Sequence, residues 1–137
     1  MKKVYIVSAR RSPVGAFMGA LSATHAADMS AAVIQPLLAD AGVMPKQVDE
    51  LICGNILSAG LGQGIARQAA VKAGIPVSVC AYSLNMLCGS GMKAVMNAAT
   101  SIAAGEADII VAGGVENMSG APYLLPKETR KGIKMGA

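Results

Sequence analysis

Long uninterrupted hydrophobic runs are missing from this chain, although 53% of its 137 residues are hydrophobic. Gly, Ser or Asp breaks the Ala, Val, Ile, Leu and Met stretches every few positions, so no segment is suited to span a bilayer. The apolar run Val4 to Val7 that follows Lys2 and Lys3 ends at Ser8-Ala9-Arg10-Arg11, too soon for the core of a signal peptide. A cytoplasmic protein with no membrane partner is the expectation. Histidine occurs once, at His25, and the three cysteines, Cys53, Cys80 and Cys88, are odd in number and without CxxC spacing. Neither a disulfide framework nor a zinc site is supported, and free thiols in a reducing compartment fit better. Repeats and low-complexity linkers are lacking too.

What remains is a globular composition, long enough for one compact domain with a real core. The formal charge of +4 comes from scattered basic residues and a cluster at Lys127, Arg130, Lys131 and Lys134. Such a cluster suits anionic partners such as phosphate groups or nucleic acid, but its commonest meaning is a solvated segment, and no nucleic-acid partner is expected.

Val4 to Ala9, bounded by charges and a Ser-Pro turn, reads as a buried first strand. Arg10 to Thr24 reads as a long connection into a helix that starts near Ala26 or Asp28 and runs to Ala41, stopped by Gly42. Pro36 inside that pattern removes a backbone donor, which predicts a kink or two shorter helices. Strands follow at Asp49–Ile56 and Val77–Leu84, with a helix at Gly64–Ala73 between them, ended by Gly74 and Pro76. Gly89–Ala104 reads as a helix stopped by Gly105. Asp108–Gly114 is the clearest strand, its Ile109, Ile110, Val111 and Ala112 apolar on both faces as a strand covered by helices requires. Alternating strands and helices predict an α/β fold, a mostly parallel sheet with helices on both faces and right-handed crossovers. After Gly120 the pattern dissolves around Pro122 and Pro126, and the chain is expected to stop in mid-fold.

The segment richest in chemistry is Asn85-Met86-Leu87-Cys88-Gly89-Ser90-Gly91, at the junction of a strand and the next helix. The first N–H groups of a helix lack internal partners and sum to a partial positive charge, which favours thiolate over thiol there. Gly89 and Gly91 permit a sharp turn and the close approach of another segment, the arrangement of a nucleophile elbow. Position alone equally allows Cys88 to be a small hydrophobe in a tight turn. Cys53 and Cys80 lie in apolar strand patterns, where burial makes a thiol inert, and both read as structural. Gly89-Ser90-Gly91-Met92-Lys93-Ala94 also matches a dinucleotide fingerprint, but the acidic partner it wants at the end of the next strand is misplaced, since Asp108 opens that strand. Glu116, beside Gly113 and Gly114 at the sheet's carboxyl edge, reads as a group that orients a loop rather than as a catalyst.

Taken with Gly113-Gly114-Val115-Glu116-Asn117-Met118-Ser119, the cysteine segment resembles the active-cysteine region of the thiolase family, its acetyl-CoA acetyltransferase type in particular. The likeness runs through Ser8-Ala9-Arg10-Arg11-Ser12-Pro13-Val14-Gly15, Gly54-Asn55-Ile56-Leu57 and Ala59-Gly60-Leu61-Gly62-Gln63 to Ala121-Pro122-Tyr123-Leu124-Leu125-Pro126. It implies a layered αβαβα enzyme of two similar halves. This chain would cover most of the first: residues 1–119 as an incomplete N-terminal α/β domain, residues 120–137 as the start of a loop region.

The resemblance further implies a ping-pong transfer in which Cys88 takes an acyl group from an acyl-CoA. The acyl group is then condensed with acetyl-CoA, or the reverse thiolysis runs. Coenzyme A thioesters are the substrates, no bound cofactor or metal is expected, and the complete enzyme would be a homodimer or homotetramer. A thiolate suits this role because its ester remains reactive toward a carbanion. One oxyanion donor of the family is the backbone N–H of the nucleophile, here Cys88. The family's activating histidine and second cysteine match no position here, and His25 is no substitute. Gly64-Ile65 stands where many thiolases have Asn-Pro, Cys80 where proline is common, and Met86-Leu87 where a Lys-Val pair is frequent. These departures leave open a degradative thiolase of longer acyl chains, and an isolated first half also fits an inactive binding or structural module.

Overall fold

The computed structural model describes residues 2–132. Its frame is a parallel sheet of three strands, β1 (Glu50–Gly54), β2 (Cys80–Leu84) and β3 (Ile110–Gly114), in the order β2-β1-β3. Residues Leu51, Ala81 and Val111 stand side by side across it, as do Ile52, Tyr82 and Ala112. Three helices cover the sheet: α1 (Ala26–Asp40), α2 (Ile65–Lys72) and α3 (Ser90–Ala104).

Because strand side chains alternate, β1 feeds two cores. Leu51 and Cys53 point into the larger one, with Ala27, Ala31, Ile34 and Leu38 of α1, Ala66, Ala69 and Ala70 of α2, and Val111 of β3. Ile52 points the other way, onto Ala94 and Ala98 of α3. Leu51 and Ile52 are the largest fully buried side chains, each worth about 1.5–3 kcal/mol of apolar burial. The many alanines on the buried helix faces let the helices lie close to the sheet.

Of the two outcomes expected at Pro36, two shorter helices are not formed: α1 runs as one piece from Ala26 to Asp40. A proline costs one N–H and crowds one turn, and the buried face Ala27, Ala31, Ile34, Leu38, at spacings of four and three, keeps both flanks on the core. His25 caps this helix, its Nδ1 accepting the Ala27 N–H at 3.2 Å.

The expected first strand is corrected. Val4–Ala9 belongs to no described strand or helix, and Tyr5, Ile6 and Val7 are largely exposed. Lys2 ties its start to α3 and to the approach to β3, its backbone N–H donating to the Ala103 carbonyl at 3.3 Å and its ammonium pairing with Asp108 at 2.7 Å. Arg10 pairs with Asp40 of α1 at its end. A trough of about 940 Å³, with α1 and α3 as its sides, separates this arm from β3. Extended backbone becomes a strand only where a neighbour accepts its hydrogen bonds. Across that trough β3 is out of reach. The outer side of β3 is accordingly less covered than expected, with Val111 buried and Ile110, Ala112 and Gly113 half-buried.

Past β3 the described chain makes two short 3-10 turns, Met118–Gly120 and Lys127–Lys131. The basic cluster's Lys127, Arg130 and Lys131 lie in the second, while Lys134 falls outside the described residues. Among the described residues, no helix is long and apolar enough to cross a membrane.

Candidate functional site

Cys88 is exposed on the loop between β2 and α3. The loop turns at Leu87, which takes the left-handed conformation at φ 51°; a non-glycine residue there costs about 1–2 kcal/mol. Three polar contacts hold it. Asn85 Oδ1 accepts the Leu87 N–H at 3.0 Å. The buried Ser90 hydroxyl accepts the Met86 N–H at 2.8 Å and donates to the Leu87 carbonyl at 2.6 Å. Gly89 and Ser90 then donate to the Met86 and Leu87 carbonyls, starting the helix.

Of the two roles expected of the glycines, close approach of another segment holds at Gly91, while the sharp turn does not fall at Gly89. Gly89 has ordinary helical angles, φ −85° and ψ −1°, so the sharp turn belongs to Leu87. The tightest approach is at Gly54, where an added Cβ would lie 2.5 Å from the Ser90 carbonyl carbon and 2.6 Å from the Gly91 nitrogen. A Cβ at Gly114 would lie 3.1 Å from the Gly54 oxygen and 3.2 Å from the Gly91 Cα. The first turn of α3 therefore rests on the carboxyl ends of β1 and β3, and only hydrogen-sized side groups fit between them.

Glu116 has the orienting role expected of it. Its Oε2 accepts the Ile56 N–H at 2.9 Å, and its Oε1 accepts the Leu57 N–H and the Asn55 side-chain amide, both at 3.1 Å. Asn55 is buried and its amide also donates to the Val115 carbonyl at 3.0 Å. This carboxylate is thus committed to the loop after β1. Asn117 straps the N-terminal connection, donating to the Ser22 and Thr24 carbonyls at 3.0 and 2.8 Å. Sequence reading assigned no role to Gly54, Asn55, Asn85 or Ser90. The pattern of an Asn two residues before a turn residue was the available signal for Asn85. For Gly54 and Asn55 no local signal exists, because their partners lie on other elements.

The other two cysteines part company. Cys53 is buried as expected, and burial pushes its thiol up to about 11. Cys80 is exposed, contrary to expectation. It begins β2, an edge strand on which only Ala81 and Leu84 are half-buried, so an apolar strand pattern did not mean burial. Beside the Cys88 loop a cavity of about 290 Å³ is lined by Asn55, Ser58, Ser83 and Asn85 among others.

An exposed cysteine on a tightly held strand-to-helix turn, at the carboxyl end of a parallel sheet, is the architecture of α/β proteins that present a nucleophile there. The family described as "Thiolase, N-terminal domain" matches residues 4–137, and the chain belongs to the thiolase family. It is 54% identical over 136 residues to an acetyl-CoA acetyltransferase of Cupriavidus necator, covering 99% of this chain and 34% of that protein. It is 53% identical over 133 residues to the cytosolic acetyl-CoA acetyltransferase of Mus musculus, covering 97% of this chain and 33% of that protein. The crystal structure of Acat5 thiolase from Ascaris suum in complex with coenzyme A superposes with a TM-score of 0.90 at 40% identity, over 92% of this chain and 33% of that one. The chain spans about a third of the length of the curated relatives it matches.

Proposed function

We propose that this chain carries the nucleophile of an acetyl-CoA C-acetyltransferase, with Cys88 as the acyl-bearing residue. The carrying observation is the exposure of Cys88 on a turn that Asn85 and Ser90 hold rigid against the strain at Leu87. The Cys88 thiolate adds to the thioester carbonyl of an acyl-CoA. A new sulfur–carbon bond forms, the bond to the CoA sulfur breaks, and CoA leaves with its electron pair and takes up a proton. The resulting acyl-cysteine is reactive enough for the enolate of a second acetyl-CoA to displace the sulfur; reversal of the same steps is thiolysis. The Cys88 backbone N–H, at the start of α3, is suited to bind the oxyanion that develops.

The names of the relatives and the coenzyme A complex of the Ascaris suum thiolase support CoA thioesters as substrates. The mouse relative's cytosolic designation supports a cytoplasmic setting. The relatives are about three times as long, so the histidine and second cysteine implied by the family would come from outside these residues. Intact-mass analysis of the native protein after acetyl-CoA tests the reading. A gain of one acetyl group that disappears in Cys88→Ala is expected; label that persists in Cys88→Ala refutes it.

A further inference from the structure

We infer that Asn85 is a positioning residue for Cys88, acting through Leu87 and braced by Glu116; this rests on the nucleophile assignment above. Cys88 follows Leu87 directly, so the peptide that Leu87 turns sets the direction of the thiol. Left-handed backbone at a leucine relaxes unless something holds it. Ser90 holds it from the helix side. Asn85 holds it from the strand side, accepting the Leu87 N–H at 3.0 Å while its amide reaches the Ile56 carbonyl at 3.5 Å. The shorter bond carries the restraint; the longer, at the limit of hydrogen bonding, orients the amide so that its oxygen faces Leu87. Ile56 does not move freely, because the Glu116 carboxylate binds its N–H and that of Leu57. The turn bearing the nucleophile is therefore fastened to the loops after β1 and β3 as well as to its own helix.

Attack on a thioester is sensitive to small displacements of the attacking atom, about 1 Å costing on the order of a hundredfold in rate. Loss of the Asn85 oxygen should cost part of that. In the full-length protein, Asn85→Ala is expected to slow single-turnover acetylation of Cys88 about tenfold or more, with KM for acetyl-CoA changed less than about twofold. Asn85 is exposed, so its truncation spares the core. The deciding variant is Asn85→Ala with Leu87→Gly, since glycine adopts positive φ at no cost. If Asn85 works by holding Leu87, the double variant recovers most of the lost rate. Glu116→Gln, which sets an amide donor against a backbone N–H, is expected to slow the same step. Wild-type acetylation in Asn85→Ala overturns the inference, and so does a slowed Asn85→Ala that Leu87→Gly fails to rescue. Wild-type acetylation in Glu116→Gln overturns the bracing role. Loss of label in Cys88→Ala alongside unaffected Asn85→Ala leaves the nucleophile standing and refutes only the positioning; label surviving in Cys88→Ala removes both.

Discussion

Replacing Gly54 by alanine tests whether the contact between α3 and the sheet is as close as the geometry demands. The new methyl would sit 2.5 Å from the Ser90 carbonyl carbon, 2.6 Å from the Gly91 nitrogen and 2.8 Å from the Ser90 Cβ. Ordinary carbon contacts begin near 3.5 Å, so the methyl is about 1 Å too close. Two of the three atoms are backbone in the first turn of a helix, which no rotamer change can move aside. Either α3 lifts from β1 or the sheet end bends. Overpacking of this kind costs about 1–3 kcal/mol, and the rigid neighbours place Gly54→Ala at the upper end. Gly113→Ala is the matched control: it lies one residue from Gly114 in β3, yet an added Cβ there meets nothing within 4 Å. It should change stability by no more than about 0.5 kcal/mol. Urea denaturation of the two variants against wild type gives the comparison directly. Gly54→Ala should also slow acetylation of Cys88, because lifting Ser90 moves the hydroxyl that holds Met86 and Leu87. Equal stability of Gly54→Ala and Gly113→Ala would refute the reasoning, since it would mean that the first turn of α3 yields at no cost.

Two further outcomes follow from the ionisable groups. Asp49 accepts the N–H groups of Ile109 and Asp108 at 2.9 and 2.8 Å, tying the start of β1 to the approach to β3. These bonds hold its carboxyl below the usual carboxylate range. A depressed folded-state pKa contributes stability above the unfolded value of about 3.9 and loses it as pH falls through the lower folded value. Acid unfolding followed by circular dichroism should show Asp49→Asn less stable than wild type at neutral pH, with the gap closing below about pH 4; a gap independent of pH contradicts the assignment. Among the cysteines, iodoacetamide under native conditions should modify Cys80 and Cys88 and spare Cys53, which is buried with its thiol pushed up to about 11. Denaturation should expose the third thiol. Peptide mass mapping reads the pattern, and native modification of Cys53 would contradict its burial.

How much of this was legible beforehand differs by element. The strands β1, β2 and β3 and the three helices could be read from apolar runs and glycine stops, because those signals arise from neighbours a few residues apart. The parallel sheet with helices on both faces followed from their alternation. The same signals misled at Val4–Ala9 and at Cys80. In both, an apolar extended run was equated with burial, although the arm lies across a trough from β3 and β2 is an edge strand.

The site divides along the same line. Sequence alone determined the family, the loop on which Cys88 stands and the orienting character of Glu116, since a strand, a cysteine and a helix start in succession constrain one another locally. Only the tertiary structure decided that Leu87 makes the turn, that Gly54 rather than Gly89 marks the closest packing, and that Asn55, Asn85 and Glu116 join three loops into one support. The packing at Gly54 and the joining of the three loops depend on groups brought together from positions 29 to 61 residues apart. No local pattern records such a distance, because it exists only once the sheet has brought the carboxyl ends of its strands side by side.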